Sequence, residues 1–178
     1  AQLEATEAGR VHAIVLRSLR AHVAGDVEAW YRALERVEAA DPGEVEARLW
    51  KALILIWVGR PEQARIVVNA VAEVDPLSEY LRFAHCLGAQ MEGRFEDSRR
   101  LAERSLLDFP GSGGWPTLLA QIQAMMGDRI GARATVEAYQ KDPEAGGLAT
   151  LGHVLVAALW NDAATVARLM TPRFEALM

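Results

Sequence analysis

Residues 59–76 read GRPEQARIVVNAVAEVDP, and residues 93–110 read GRFEDSRRLAERSLLDFP. Each stretch opens on Gly-Arg and closes on a proline 17 residues after the glycine. The same marks recur along the chain. Gly25, Gly59, Gly93 and Gly127 are spaced by 34 residues, and Asn161 continues the series. Pro42, Pro76 and Pro110 form a second series with the same spacing, and Pro143 falls one residue early. Two kinds of chain punctuation therefore alternate at half the period, a pattern that belongs to internal repeats.

Each half-period reads as a helix. Glycine, or asparagine in its place, ends one helix because a left-handed cap carries no steric penalty there. Proline ends the next because it lacks an N–H and clashes with the preceding turn. Between the marks the apolar residues fall at helical steps: Val27, Trp30, Tyr31, Leu34 and Val37 in one segment, Phe95, Leu101, Ala102 and Leu106 in another. No segment alternates with β-branched enrichment, so strands are not expected. Glu28–Arg32 and Glu96–Arg100 are spaced to pair on solvated helix faces. The reading is a single all-α domain over 1–178, with helix–turn–helix units at 11–44, 45–78, 79–112, 113–146 and 147–178. Residues 2–10 extend the first helix, and Thr171-Pro172 cuts the last.

Composition limits what such a chain does. With 178 residues, 51% apolar and 24% charged, it can bury a core. Its net charge of −5 argues against phosphate-driven nucleic-acid binding and against a polybasic membrane-surface role. No apolar run exceeds seven residues, the length of Ala52 to Val58, far short of the ~20 needed to span a bilayer. One cysteine, Cys86, excludes an internal disulfide and a multi-cysteine zinc site. The chain starts at Ala1 with no initiator methionine or targeting segment, which reads as a fragment of a cytoplasmic protein.

The 34-residue layout resembles the tetratricopeptide repeat (TPR) family over nearly the whole chain. Its turn glycine is followed five residues later by a small residue: Ala64, Ser98 and Ala132 fit, while Trp30 and Val166 depart. A second small residue precedes the turn by seven: Ser18, Ala52, Cys86 and Ala120 fit, and Val154 is larger. The large residue expected eight before the turn is Leu119 in one unit but Arg17, Lys51 and His85 in others. Two after the turn, Phe95 fits best. The resemblance implies a right-handed α-solenoid of about five antiparallel helix pairs. The divergent units look like repeat regions that bacterial regulatory proteins carry beside kinase, cyclase or DNA-binding domains.

Residues for catalysis do not assemble into a known pattern. There is no His-Glu-x-x-His and no glycine-rich loop followed by lysine; Gly111-Ser112-Gly113-Gly114 reads as a long loop between units. His12 and His22 share a helix without a nearby third ligand, His85 points elsewhere, and His153 sits in an apolar stretch. No enzyme activity, metal or cofactor is expected.

What a helical repeat offers is surface. In the family the first helices line a concave face, on positions three, six and ten before each turn. Here that gives Val15, Leu19 and His22 in the first unit, and Leu49, Leu53 and Ile56 in the second, with Trp50 and Trp57 adjoining. The third gives Phe83, Leu87 and Gln90 with Tyr80 and Met91, the fourth Thr117, Gln121 and Ala124 with Leu118 and Met125, and the fifth Ala158. Leu151, Leu155 and Leu159 extend the set. The face is largely apolar: Val15, Leu19, Leu49, Leu53, Phe83 and Leu87 stand where carboxylate-gripping family members use Lys, Arg and Asn. The expected function is a non-catalytic protein–protein interaction scaffold, binding a protein segment or a second copy of the chain through this face. The alternative is a receptor for a lipid or acyl chain in the same groove, or an accessory domain of an enzyme. Phe174, Leu177 and Met178 add apolar surface at the end of the array, where a terminal repeat needs polar groups.

Overall fold

The computed structural model describes residues 18, 20–21, 24–41, 43–142 and 146–172. The helix extension expected over 2–10, and His12, Val15, Arg17, Leu19, His22, Pro42, Pro143, Phe174, Leu177 and Met178, lie outside the described residues. Those described form nine α-helices and no strand. They are α1 (Val27–Ala40), α2 (Val45–Trp57), α3 (Pro61–Val74), α4 (Glu79–Met91), α5 (Phe95–Asp108), α6 (Gly114–Met125), α7 (Arg129–Gln140), α8 (Gly146–Leu159) and α9 (Ala163–Leu169). Residues 18, 20 and 21 are helical as well.

The repeat period is a period of backbone conformation. Gly25, Gly59, Gly93 and Gly127 have φ of 69°, 76°, 75° and 82°, and Asn161 has 56°; no other described non-glycine residue has positive φ. The turns close in the same way. The Arg60 amide donates to Leu55 O at 2.7 Å and the Gly59 amide to Ile56 O at 3.1 Å. Asp128 and Gly127 repeat this on Gln123 and Ala124, and Asp162 and Asn161 on Ala157 and Ala158. This paired closure satisfies the last carbonyls of the outgoing helix. The residue after each turn then starts the incoming helix. Asp26, Asp128 and Asp162 accept from the amides of Ala29, Gly131 and Thr165. Arg60 has no capping side chain, but Pro61 at the first helical position removes one amide that would need a partner. The second series acts as expected: α3 stops one residue before Asp75-Pro76, and α5 one before Phe109-Pro110.

Contacts divide the chain into two compact units, Ala1–Met91 and Glu92–Met178. In the first, α2 touches α1, α3 and α4. That position explains its near-continuous apolar sequence, because a helix with neighbours on several sides has little exposed arc. Leu49, Leu53 and Ile56 of α2 pack with Ala64, Val68 and Val71 of α3 and with Leu81 of α4. In the second unit, α6 holds the equivalent place, touching α5, α7 and α8. Its Ala120 and Ala124 pack with Ala132, Val136 and Val156. Both small-residue series are buried: Ser18, Ala52, Cys86 and Ala120 before the turns, Ala64, Ser98 and Ala132 after them.

Departures from the family pattern have local explanations. Lys51 takes a core-flanking position and directs its ammonium to Glu38 Oε2 at 2.7 Å, with the Tyr31 ring 5.3 Å away. The glycine-rich loop is shaped by packing: a Cβ at Gly113 would collide with Tyr139 Oη and approach Leu148. Glu28 and Arg32 pair on α1 as expected. Glu96 instead pairs with Arg99 at 2.8 Å, while Arg100 turns to Asp97. The i,i+3 partners are closer in reach there and Asp97 is shared with Arg94, whose hydrogen bond is the first cause holding the Asp97 carboxyl below its usual range.

Candidate functional site

Burial separates the groove residues expected from sequence into three groups. Leu49, Leu53 and Leu118 are 0%, 1% and 3% exposed, inside the cores of their own units. Trp50, Phe83 and Leu87 are half-buried and lie against the core of the first unit. Trp57, Tyr80, Met91 and Met125 are exposed, at 49%, 40%, 53% and 44%. Before Gly59 the positions three, six and ten back, Ile56, Leu53 and Leu49, are core, while Phe83 and Leu87 before Gly93 and Leu151 and Leu155 before Asn161 are half-buried. The exposed apolar position is two before the turn. It recurs as Trp57, Met91, Met125 and Leu159, the last 44% exposed, and so keeps the 34-residue period. One residue rotates the side chain about 100° around a helix, enough to move it from the core arc to solvent.

In the first unit this position is backed by aromatic rings. Trp30 of α1 lies 6.1 Å from Trp57 and 5.6 Å from Trp50, centroid to centroid. Trp50 in turn lies 5.7 Å from Tyr80. All three separations fall in the favourable tilted range for aromatic pairs. Trp30 stands where most units have a small residue, and its ring fills the space beside α2. The Trp50 indole N–H donates to Glu46 Oε1 at 3.2 Å. Burial raises the Tyr80 pKa, helped by the nearby charges of Glu46 and Glu79, so the phenol keeps its proton at neutral pH. The half-exposed Trp57 ring is thus held from behind, with little freedom left to lose on contact with another surface. Spacing alone did not single out Trp30, because its deviation from the small-residue series reads as divergence until the ring contacts are seen.

Among the described residues, no group of three or more His, Cys, Asp or Glu could hold a metal ion, and no helix is long and apolar enough to cross a membrane. Burial and periodicity define the class: an all-α helical repeat of antiparallel pairs.

Residues 24–84 match the model of the tetratricopeptide repeat family. Two solved structures are similar in fold. A tetratricopeptide repeat protein from Parabacteroides merdae ATCC 43184 aligns with a TM-score of 0.76 at 17% identity, over 93% of this chain and 64% of that one. PilW, a widely conserved type IV pilus biogenesis factor, aligns with a TM-score of 0.63 at 14% identity, over 94% of this chain and 82% of that one. The chain thus spans just under two thirds of the length of the first. At these identities the likeness is one of fold. A comparison with curated proteins found no match. Over residues 24–84 the repeat read from the glycine spacing coincides with the tetratricopeptide repeat model, and the fold of the described residues is similar to that of tetratricopeptide repeat structures.

Proposed function

We propose that this chain is a non-catalytic scaffold that engages a protein segment through the apolar position two residues before each turn. When no such segment is present, a second copy of the chain occupies it. The observation that carries the reading is the recurrence of Trp57, Met91, Met125 and Leu159 as exposed large apolar side chains at one repeat position. Scattered exposed apolar residues are ordinary on a protein surface; a set that keeps the repeat register is not accounted for by that background. Trp57 is the expected centre, since a rigid, ring-backed tryptophan is the residue type that most often dominates a protein interface. Trp50, Tyr80, Phe83 and Leu87 then support the surface from behind or at its edge.

The test is a pair of substitutions. Trp57→Ala with Met91→Ala removes both members of the first unit and substitutes none of its buried residues, although it uncovers one side of Trp30. With helicity retained by circular dichroism, the variant should sediment closer to monomer than the parent at the same high concentration. A parent that is monomeric throughout, or a variant that associates as the parent does, would overturn the reading.

A further inference from the structure

A cavity of about 260 Å³ opens between α7, α8 and α9 of the second unit. We propose that it is a binding site for a monoanionic carboxylate, gripped by the guanidinium groups of Arg133 and Arg168 with N–H groups of Trp160 and His153. Nothing in the interaction reading above requires this site, and it stands on separate residues.

The wall is rich in donors without acceptors. Arg133, Arg168, His153 and Trp160 all line the cavity. The two arginines stand exposed at its mouth, and among the described residues neither forms an ion pair. The indole Nε1 of Trp160 is buried and has no hydrogen-bond partner, with Arg129 stacked over the same ring at 5.4 Å. A buried N–H left unpaired in a folded protein calls for an occupant that accepts from it. His153 adds a fourth donor. Its Nδ1 lies 2.9 Å from Gln140 Nε2, and an amide nitrogen can only donate. Burial first, then the Arg168 charge, holds the His153 pKa below its ordinary value, so the ring is neutral at pH 7 with its proton on Nε2.

Charge and size narrow the ligand. Glu137 and Asp162 also line the cavity. Asp162 is committed to the Thr165 amide at the start of α9, and Glu137 remains as an opposing charge. Counting Arg129 stacked on Trp160, three arginines face two carboxylates, a surplus of one positive charge that matches a monoanion better than a dianion such as phosphate, and a carboxylate can lie against a guanidinium in its preferred planar fashion. The remaining lining, Val136, Val156 and Ala157, is apolar and suits a short hydrocarbon group. The volume lies below the roughly 300–1,000 Å³ of pockets for drug-sized molecules. A small free acid fits it, and so does the last residue of a peptide.

Titration calorimetry of the full chain with propionate, propionamide and inorganic phosphate tests the site, alongside a short alanine-rich peptide with either a free or an amidated C-terminus. Propionate should bind saturably and propionamide should not, with phosphate weaker than propionate. If the free-end peptide binds more tightly than propionate and its amide is silent, the carboxylate comes from a chain end; if propionate binds at least as well, it comes from a small acid. Arg168→Gln and Arg133→Gln should each weaken binding about tenfold, a loss of one charge-assisted contact. Trp160→Phe, which keeps a ring but removes the N–H, should weaken it severalfold. Glu137→Gln should strengthen it, an effect of opposite sign that a damaged fold cannot produce. No binding by either carboxylate probe, equal binding of propionamide, tighter binding of phosphate, or weakening by Glu137→Gln would overturn the proposal.

Discussion

The glycine at each turn is required for its backbone, not for space. A Cβ built on Gly25, Gly59, Gly93 or Gly127 meets nothing within 4 Å, yet each has φ near +70° to +80°. A side chain there crowds its own carbonyl, at a cost of about 1–2 kcal/mol. Gly59→Ala should therefore lower the urea midpoint by roughly that free energy with an unchanged denaturant slope, and Gly59→Asn should cost less. Equal stability of Gly59→Ala and parent would mean that the positive φ is not a feature of the folded chain. This residue-scale signal was fully legible in the sequence, because a demand for positive φ restricts residue type almost to glycine and asparagine. Exposure was not legible to the same degree. Ile56 and Trp57 are both large and apolar neighbours, and only the direction in which each leaves α2 decides that one is core and the other surface.

At the scale of the helix, close crossings and caps set the stability. Ala64 and Ala132 are buried at matching repeat positions, so Ala64→Leu should overpack the α2–α3 contact and cost about 1–3 kcal/mol. A variant as stable as the parent in urea would place Ala64 away from the crossing. Asp128 starts α7 by accepting from the Gly131 amide at 2.8 Å. Asp128→Ala should cost about 1 kcal/mol, and Asp128→Asn much less, since an amide oxygen accepts the same bond. Identical losses for both would point to the charge instead of the cap. Helix ends and crossings were readable because punctuation and small residues have fixed offsets from the turn. Ion-pair partners were not: Glu96 could reach either Arg99 or Arg100, and Asp97, competing for the latter, decided the outcome.

At the scale of the molecule, two compact units repeat one surface feature. Trp57 and Met91 in the first, Met125 and Leu159 in the second, stand exposed two residues before their turns. The cavity in the second unit followed a different route. Its residues come from three helices and the turn between α8 and α9, with unrelated spacing, so no local motif announced them, and His153 read alone only as a histidine in an apolar stretch. Hydroxyl-radical footprinting across a concentration series tests the interaction account most directly, because it carries its own control. Ile66 and Leu107 are exposed, at 72% and 78%, but lie off the repeat position. As concentration rises, Trp57, Met91, Met125 and Leu159 should become protected while Ile66 and Leu107 stay as reactive as in the dilute protein. Unchanged labelling of all six at every concentration, or protection that spreads equally to Ile66 and Leu107, would contradict an interface built on the repeat.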